Sequence, residues 1–179
     1  MTLRLRDLDP HAVALDACTA LLDHVNSACV ALSPLGEVRT PLFCSALEGC
    51  ELYFSTRRLA AYAVDGGGCD APVRECLVSL LPLYSAALGG GATDVDDLVQ
   101  SEPTTALGVV IAAAVARETL AQGRPVTPAQ LATLACVDRD YLLRLAAAGE
   151  LPGARQAKTG RKPWTVTAKG ATQWLAGRG

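Results

Sequence analysis

Residues 126–153 read VTPAQLATLACVDRDYLLRLAAAGELPG, and this stretch contains the most specific structural signals in the 179-residue chain. It opens with a capping-box pattern, in which Thr127 is the cap, Pro128 is the first helical residue and Gln130 is the third. This pattern predicts a short helix, because the cap and the third residue satisfy each other's backbone amides. The helix is expected to end at a turn over residues 136–138.

A second helix is predicted directly after the turn. Asp138 is a suitable N-cap and Gly149 a suitable stop, so the helix covers residues 139–148. A helical wheel gives it an apolar face, which can pack on the preceding helix and consists of Tyr141, Leu142, Leu145, Ala146 and Ala148. The opposite face, free to enter a groove, consists of Arg139, Asp140, Leu143, Arg144 and Ala147. Two short helices joined by a tight turn form a helix-turn-helix unit.

A basic hairpin is predicted after the second helix. Residues 154–156 and 163–166 form two short strands around the tip Lys158-Thr159-Gly160-Arg161-Lys162. Thr167 then caps a last helix. The hairpin, read as a basic wing, covers residues 155–164.

In this order the motifs resemble the excisionase/MerR-type winged helix-turn-helix. The resemblance covers about residues 126–176 and rests on Thr127-Pro128-Ala129-Gln130-Leu131-Ala132, Val137-Asp138-Arg139, Arg144-Leu145, Gly149-Glu150-Leu151-Pro152, the basic hairpin and Trp174-Leu175. It implies a recognition helix in the major groove of DNA and a wing on the backbone or in the minor groove. Cys136 departs from the pattern where the turn normally has glycine. Leu143 and Ala147 occupy positions that are often aromatic and basic.

The outward face of the second helix supplies the candidate base contacts. We expect Arg139 and Arg144 to pair with guanine or to hold a phosphate. Leu143 is expected either to contact a thymine methyl group or to pack on the wing. For Asp140 we favour the orientation of an arginine, with acceptance of a hydrogen bond from cytosine as the alternative.

The candidate phosphate contacts lie on the wing and at the first cap. The wing-tip cations are expected to give affinity independent of sequence. Thr127 and the amides at its helix N-terminus are expected phosphate ligands. Trp164 and Trp174 are expected to anchor the core. The full set of predicted DNA-binding residues is Thr127, Gln130, Arg139, Asp140, Leu143, Arg144, Arg155, Lys158, Arg161 and Lys162.

The charge distribution supports this division of the chain. Residues 1–123 carry 7 Lys and Arg against 15 Asp and Glu, a balance of −8. Residues 124–179 carry 9 against 3, a balance of +6. We therefore predict a mainly α protein with two domains, an acidic N-terminal helical domain over 1–123 and a basic winged helix-turn-helix over 124–179.

The N-terminal part shows mostly helical signals. A helix is predicted to open at Asp9-Pro10 and to end near Ser33-Pro34. Two short strands are predicted at 37–40 and 51–54. Further helices are predicted at 56–64, with a stop at Asp65-Gly66-Gly67-Gly68, and at 72–88, with an interruption at Pro82.

The last helix before the boundary is apolar on every side. Its predicted cap is Ser101, with Pro103 in its first turn, and it runs to Gln122 and ends at Gly123. The stretch 106–116 has no polar face, so it must be buried in a domain core or in a subunit interface. We favour a homo-oligomer formed through the N-terminal domain, with the central helix of a monomeric bundle as the alternative.

Composition and motifs exclude several classes of protein. Only 4% of residues are aromatic and 50% are apolar, which favours closely packed helices. Seven cysteines occur without a C-x-x-C pair, so we expect small buried hydrophobes and no zinc site or disulfide framework. Phosphate-loop, dinucleotide and hydrolase motifs are missing, so no enzyme activity, metal or cofactor is predicted. Without a signal peptide or membrane span, the protein is expected in the cytoplasm, associated with the nucleoid.

The predicted function is that of a sequence-specific DNA-binding protein, either a transcriptional regulator or an excisionase-like factor. The alternative is an adaptor or antitoxin-like protein, whose N-terminal domain binds another protein while DNA binding is secondary. The partners expected are double-stranded DNA, a second copy of the chain and, in the alternative, a protein.

Overall fold

The computed structural model describes residues 4–32, 47–48, 50–66, 73–78, 80, 105–157 and 163–178. Across these ranges the chain is mainly helical, as predicted, with a two-stranded antiparallel sheet near the C-terminus. A 3-10 turn over Leu5–Asp7 precedes the helices α1 Pro10–Leu32, α2 Glu51–Asp65, α3 Ala106–Ala121, α4 Pro128–Ala135, α5 Arg139–Ala148 and α6 Ala168–Ala176. The strands are β1 Ala154–Gln156 and β2 Trp164–Val166. In the part of the chain that the structure describes, no helix combines the length and apolar character needed to cross a membrane.

The start of α1 agrees with the sequence prediction. The Asp9 carboxylate accepts a hydrogen bond from the backbone N–H of His11 at 3.1 Å, and Pro10 is the first helical residue. His11 also shares a 2.7 Å hydrogen bond between its Nδ1 and the Tyr53 hydroxyl, which joins α1 to α2.

The start of α2 corrects a prediction. Residues 51–54 are not a strand but the first turn of a helix, capped by Cys50, whose Sγ accepts the Tyr53 N–H at 3.4 Å. The buried residues of α2 recur at helical spacing, and they are Tyr53, Ser55, Thr56, Leu59, Ala60 and Ala63. The helix ends as predicted, with Gly66 in the left-handed conformation at φ +70°. The predicted strand at 37–40 lies outside the described residues, whereas 73–78 within the predicted helix 72–88 are helical.

The cap of α3 is also different from the predicted one. Thr105, not Ser101, caps the helix, and its Oγ1 accepts the Gly108 N–H at 3.0 Å. Ser101 and Pro103 lie outside the described residues. The helix ends at the predicted place, where Gly123 has φ +70°.

The apolar stretch of α3 is buried within a single chain. Val110, Ile111 and Ala114 have no exposed surface, because α1, α2 and the helical segment 73–78 contribute to the same core. This N-terminal cluster consists of Leu5, Val13, Ala17, Leu59, Ala60, Ala63, Val73, Cys76, Leu77, Leu80, Leu107, Val109, Val110, Ile111, Ala113 and Ala114. The covered helix therefore gives no reason for a dimer, and the homo-oligomer stays a prediction.

A second core lies in the C-terminal part. This C-terminal cluster consists of Val126, Leu131, Ala132, Leu142, Ala146, Leu151, Val166 and Ala171. Trp164 and Trp174 are half-buried and pack against it, in keeping with their expected anchoring role. Leu120 of α3 also packs against this cluster, while Leu134 and Cys136 pack against the N-terminal cluster. The two cores are thus joined through α3 and the α4 segment.

The backbone of α6 at Gly170 lies close to the segment that precedes β1, and the lack of a side chain at Gly170 permits this contact. A methyl group on Gly170 would overlap the Pro152 carbonyl oxygen and lie 2.6 Å from the Pro152 carbonyl carbon and 2.9 Å from Gly153 Cα. At Gly177 the nearest atom, the Trp174 carbonyl oxygen, is 3.7 Å away, which is ordinary contact.

We predict that Gly170→Ala lowers the free energy of unfolding by about 1–3 kcal/mol, because backbone atoms must move to admit the methyl group. Gly177→Ala is the matched control and should change it by less than about 0.5 kcal/mol. Urea unfolding followed by circular dichroism measures both. A Gly170→Ala protein as stable as wild type would contradict this close approach.

Candidate nucleic-acid interface

The N-terminus of α4 is closed by its own side chains. Thr127 Oγ1 accepts the Gln130 N–H at 3.2 Å, and Gln130 Oε1 accepts the Thr127 N–H at 2.9 Å. This is the predicted capping box, with Pro128 as the first helical residue. Two backbone amides are therefore already satisfied, and Pro128 has none, so the Thr127 hydroxyl hydrogen and the Ala129 N–H are among the donors still available to a phosphate.

The turn between α4 and α5 has the geometry that usually requires glycine. Cys136 ends α4 in the left-handed conformation, with φ +52° and ψ +39°, which explains why a glycine is expected here. Val137 then donates its N–H to the Ala132 carbonyl at 3.1 Å. Asp138 caps α5 as predicted, because its Oδ1 accepts the N–H groups of Asp140 at 2.7 Å and Tyr141 at 3.3 Å.

The inward face of α5 fixes the helix to the C-terminal cluster. Leu142 and Ala146 are buried, and Tyr141 and Leu145 are half-buried against the same cluster. These four residues lie on the face that the helical wheel assigns to packing. Ala148 is the last residue of the helix, beside Gly149, and it is exposed because it lies beyond the cluster. Its assignment to the packing face is therefore wrong.

The outward face of α5 presents its cations to solvent. Arg139, Asp140, Arg144 and Ala147 are exposed, and Leu143 is half-buried. Neither Arg139 nor Arg144 forms an ion pair with a carboxylate of the described residues, whereas Arg6 does so with Asp7. The Asp140 carboxylate likewise orients no arginine in these parts of the chain.

The hairpin is antiparallel, with Ala154 opposite Val166, Arg155 opposite Thr165 and Gln156 opposite Trp164. Ala157 continues the ladder by donating its N–H to the Pro163 carbonyl at 3.2 Å. The Arg155 side chain is exposed. The tip cations Lys158, Arg161 and Lys162 lie outside the described residues.

The link between the hairpin and the segment before α4 was not predicted from the sequence. Val126, directly before the α4 cap, pairs with Val166 of β2 through hydrogen bonds of 2.9 and 2.8 Å. Both side chains are fully buried. The sequence offers only one apolar residue, Val126, before the cap, and one residue does not indicate which strand it pairs with.

Three further exposed cations belong to the basic C-terminal part and were not predicted as site residues: Arg124, Lys169 and Arg178. The Arg178 guanidinium lies 4.6 Å from the Trp174 ring centroid and 5.4 Å from that of Tyr141. This cation–π arrangement ties the end of α6 to the inward side of α5.

Comparison of the chain with family models, with curated protein sequences and with solved structures gives no match. A functional assignment therefore depends on the residues and contacts of this chain itself.

Asp138 controls the start of the helix that carries the outward arginines. We predict that Asp138→Ala lowers the free energy of unfolding by about 0.5–2 kcal/mol, because the amides of Asp140 and Tyr141 lose their acceptor. Asp138→Asn keeps an acceptor oxygen and should lose less than half as much. Thermal unfolding measures both. An equal loss in the two variants would show that the charge, and not the hydrogen bond, stabilises this terminus.

Proposed function

We propose that the chain is a sequence-specific DNA-binding protein in which residues 126–176 act as a winged helix-turn-helix. The observation that carries the proposal is the division of α5 into two faces. Leu142 and Ala146 hold one face in the C-terminal cluster, while Arg139 and Arg144 extend from the other into solvent. A helix held in this way can enter a groove without losing its own packing.

The dimensions and chemistry of α5 suit the major groove. Its ten residues make a rod about 15 Å long, and the groove, about 12 Å wide, admits one α-helix. A guanidinium can pair with guanine O6 and N7 through two hydrogen bonds. Because Arg139 and Arg144 are unpaired among the described residues, such a contact would not require breaking an ion pair with those residues.

The hairpin is joined to the segment before α4, a position that would allow it to make a second contact with DNA. The bridge between Val126 and Val166 holds β2 beside the residue that directly precedes the α4 cap. The wing and α5 are therefore connected through one small core. This connection supports simultaneous contact of α5 with a groove and of Arg155 with the adjacent backbone.

Electrostatics support a nucleic-acid partner for the C-terminal part. Residues 124–179 carry a balance of +6 and residues 1–123 one of −8. Phosphates attract the first part and repel the second, so an approaching duplex meets the basic side. We infer a role as a transcriptional regulator or an excisionase-like factor, with two copies on adjacent half-sites because one small domain covers little DNA.

We predict that the full-length protein binds a 30-base-pair random duplex with an affinity that falls steeply with salt. If about four phosphates are neutralised, binding should weaken about 100-fold between 50 and 200 mM NaCl. Fluorescence anisotropy measures the affinity at several salt concentrations. Salt-independent binding, or no binding at 50 mM NaCl, would contradict the proposed interface.

Arg144 and the wing tip should differ in what they contribute. With a site obtained by selection from random duplexes, Arg144→Ala should reduce the preference for that site by about 5- to 150-fold, because a bidentate base contact supplies about 1–3 kcal/mol of discrimination. Lys158→Ala/Arg161→Ala should weaken selected and random duplexes equally and lower the salt slope by about two.

Arg57→Ala is the matched control for this comparison. Arg57 is an exposed arginine of α2, in the acidic part of the chain, and its loss should leave both affinities unchanged. If Arg144→Ala weakens selected and random duplexes by the same factor, Arg144 holds a phosphate and does not read a base.

A further inference from the structure

Two thiols from different helices are in contact on the side of the molecule formed by α1 and α2. Cys18 Sγ in α1 lies 3.8 Å from Sγ of Cys50, the N-cap of α2. Both cysteines are free, and Cys18 packs with Ala14 and Tyr53 in a small apolar cluster. A disulfide has a sulfur separation of about 2.05 Å, so the two sulfurs need to approach by about 1.8 Å.

The two thiols have different environments. Cys50 is partly exposed, so an oxidant can reach it, and its sulfur accepts the Tyr53 N–H at the start of α2. Cys18 is only 2% exposed. Burial raises the pKa of Cys18 to about 12, with further contributions from its hydrogen bond and charge interaction with Cys50. Cys18 therefore stays a protonated thiol at neutral pH, ready to donate to the Cys50 sulfur.

We propose that Cys18 and Cys50 form a dithiol that a hydroperoxide oxidises to an intramolecular disulfide, with Cys50 reacting first. The Cys50 thiolate attacks one peroxide oxygen, the O–O bond breaks, and hydroxide leaves as water after taking a proton. The product is Cys50 sulfenic acid. Cys18 sulfur then attacks Cys50 sulfur, the S–O bond breaks, and the oxygen leaves as a second water with the Cys18 proton. Two thiols lose two electrons, and hydrogen peroxide is reduced to two waters.

Cys136 provides an internal comparison. It is also partly exposed, but the described polar neighbour of its sulfur is the Thr133 carbonyl oxygen at 3.9 Å, not a second thiol. We therefore expect Cys136 to form no intramolecular disulfide under conditions that link Cys18 to Cys50.

The disulfide would close a loop between residues 32 positions apart and would join α1 to the start of α2. Restriction of the unfolded chain should raise the melting temperature of the oxidised protein by roughly 5–10 °C. This chemistry uses none of the residues proposed to contact DNA, so it can be tested independently of that function.

The direct test maps the bond in the wild-type full-length chain. The reduced protein is treated with a small excess of hydrogen peroxide, alkylated, and digested with Asp-N and Glu-C proteases. This digestion releases Cys18 in residues 16–22 and Cys50 in residues 49–51, separate from Cys29 and Cys44. We expect mass spectrometry to find these two peptides linked. Recovery of both as alkylated free thiols, or linkage of Cys18 mainly to another cysteine, would overturn the proposal.

Two variants test the order of the steps. In Cys18→Ser the sulfenic acid of Cys50 cannot be resolved, so dimedone should label Cys50 and the rise in melting temperature should disappear. In Cys50→Ser dimedone should not label Cys18. Labelling of Cys18 in that variant, at the rate seen for Cys50 in the first, would reverse the assigned roles and contradict the mechanism. Because the peptide map uses wild-type protein, it decides the bond itself even if a variant fails to fold.

Discussion

The burial of the apolar stretch 106–116 of α3 is the constraint on which the other elements depend. A helix without a polar face must be covered, and α1 and α2 do so around residues such as Ile111, which has no exposed surface. Leu120, near the end of the same helix, packs against the C-terminal cluster. Arg117, between them, donates to the Ala63 and Val64 carbonyl oxygens at 2.7 and 3.0 Å, satisfying the end of α2. One helix therefore organises the N-terminal core and supports the C-terminal one.

In the candidate interface, one set of polar groups starts the helices and a different set extends into solvent, where it could contact DNA. The polar groups of Thr127, Gln130 and Asp138 are engaged in caps that start α4 and α5. The guanidinium groups of Arg139 and Arg144 are exposed and form no ion pair with the described residues. In the proposed complex, affinity and base discrimination therefore come from long side chains, and the helix N-termini mainly keep those side chains in register.

Structural features that depend on neighbouring residues could be predicted from the sequence, whereas contacts between residues far apart in the chain could not. The caps at Thr127, Asp138 and Thr167 were predicted because each depends on residues within four positions. Cys50 was missed because cysteine is not among the usual cap residues, and the first turn of α2 was therefore mistaken for a strand. Contacts between distant segments, such as Val126 with Val166 or Cys18 with Cys50, left no local pattern from which a partner could be read.

The same limit applies to the homo-oligomer predicted from the apolar stretch of α3. Apolar residues on every side of a helix require a cover, but they do not specify whether it comes from the same chain or from another. Here the same chain supplies it. If two copies occupy adjacent half-sites, their contact must use a surface other than the buried stretch of α3. The −8 balance of residues 1–123 acts against close approach of two N-terminal parts, so such a contact would also need to bury or neutralise part of that charge.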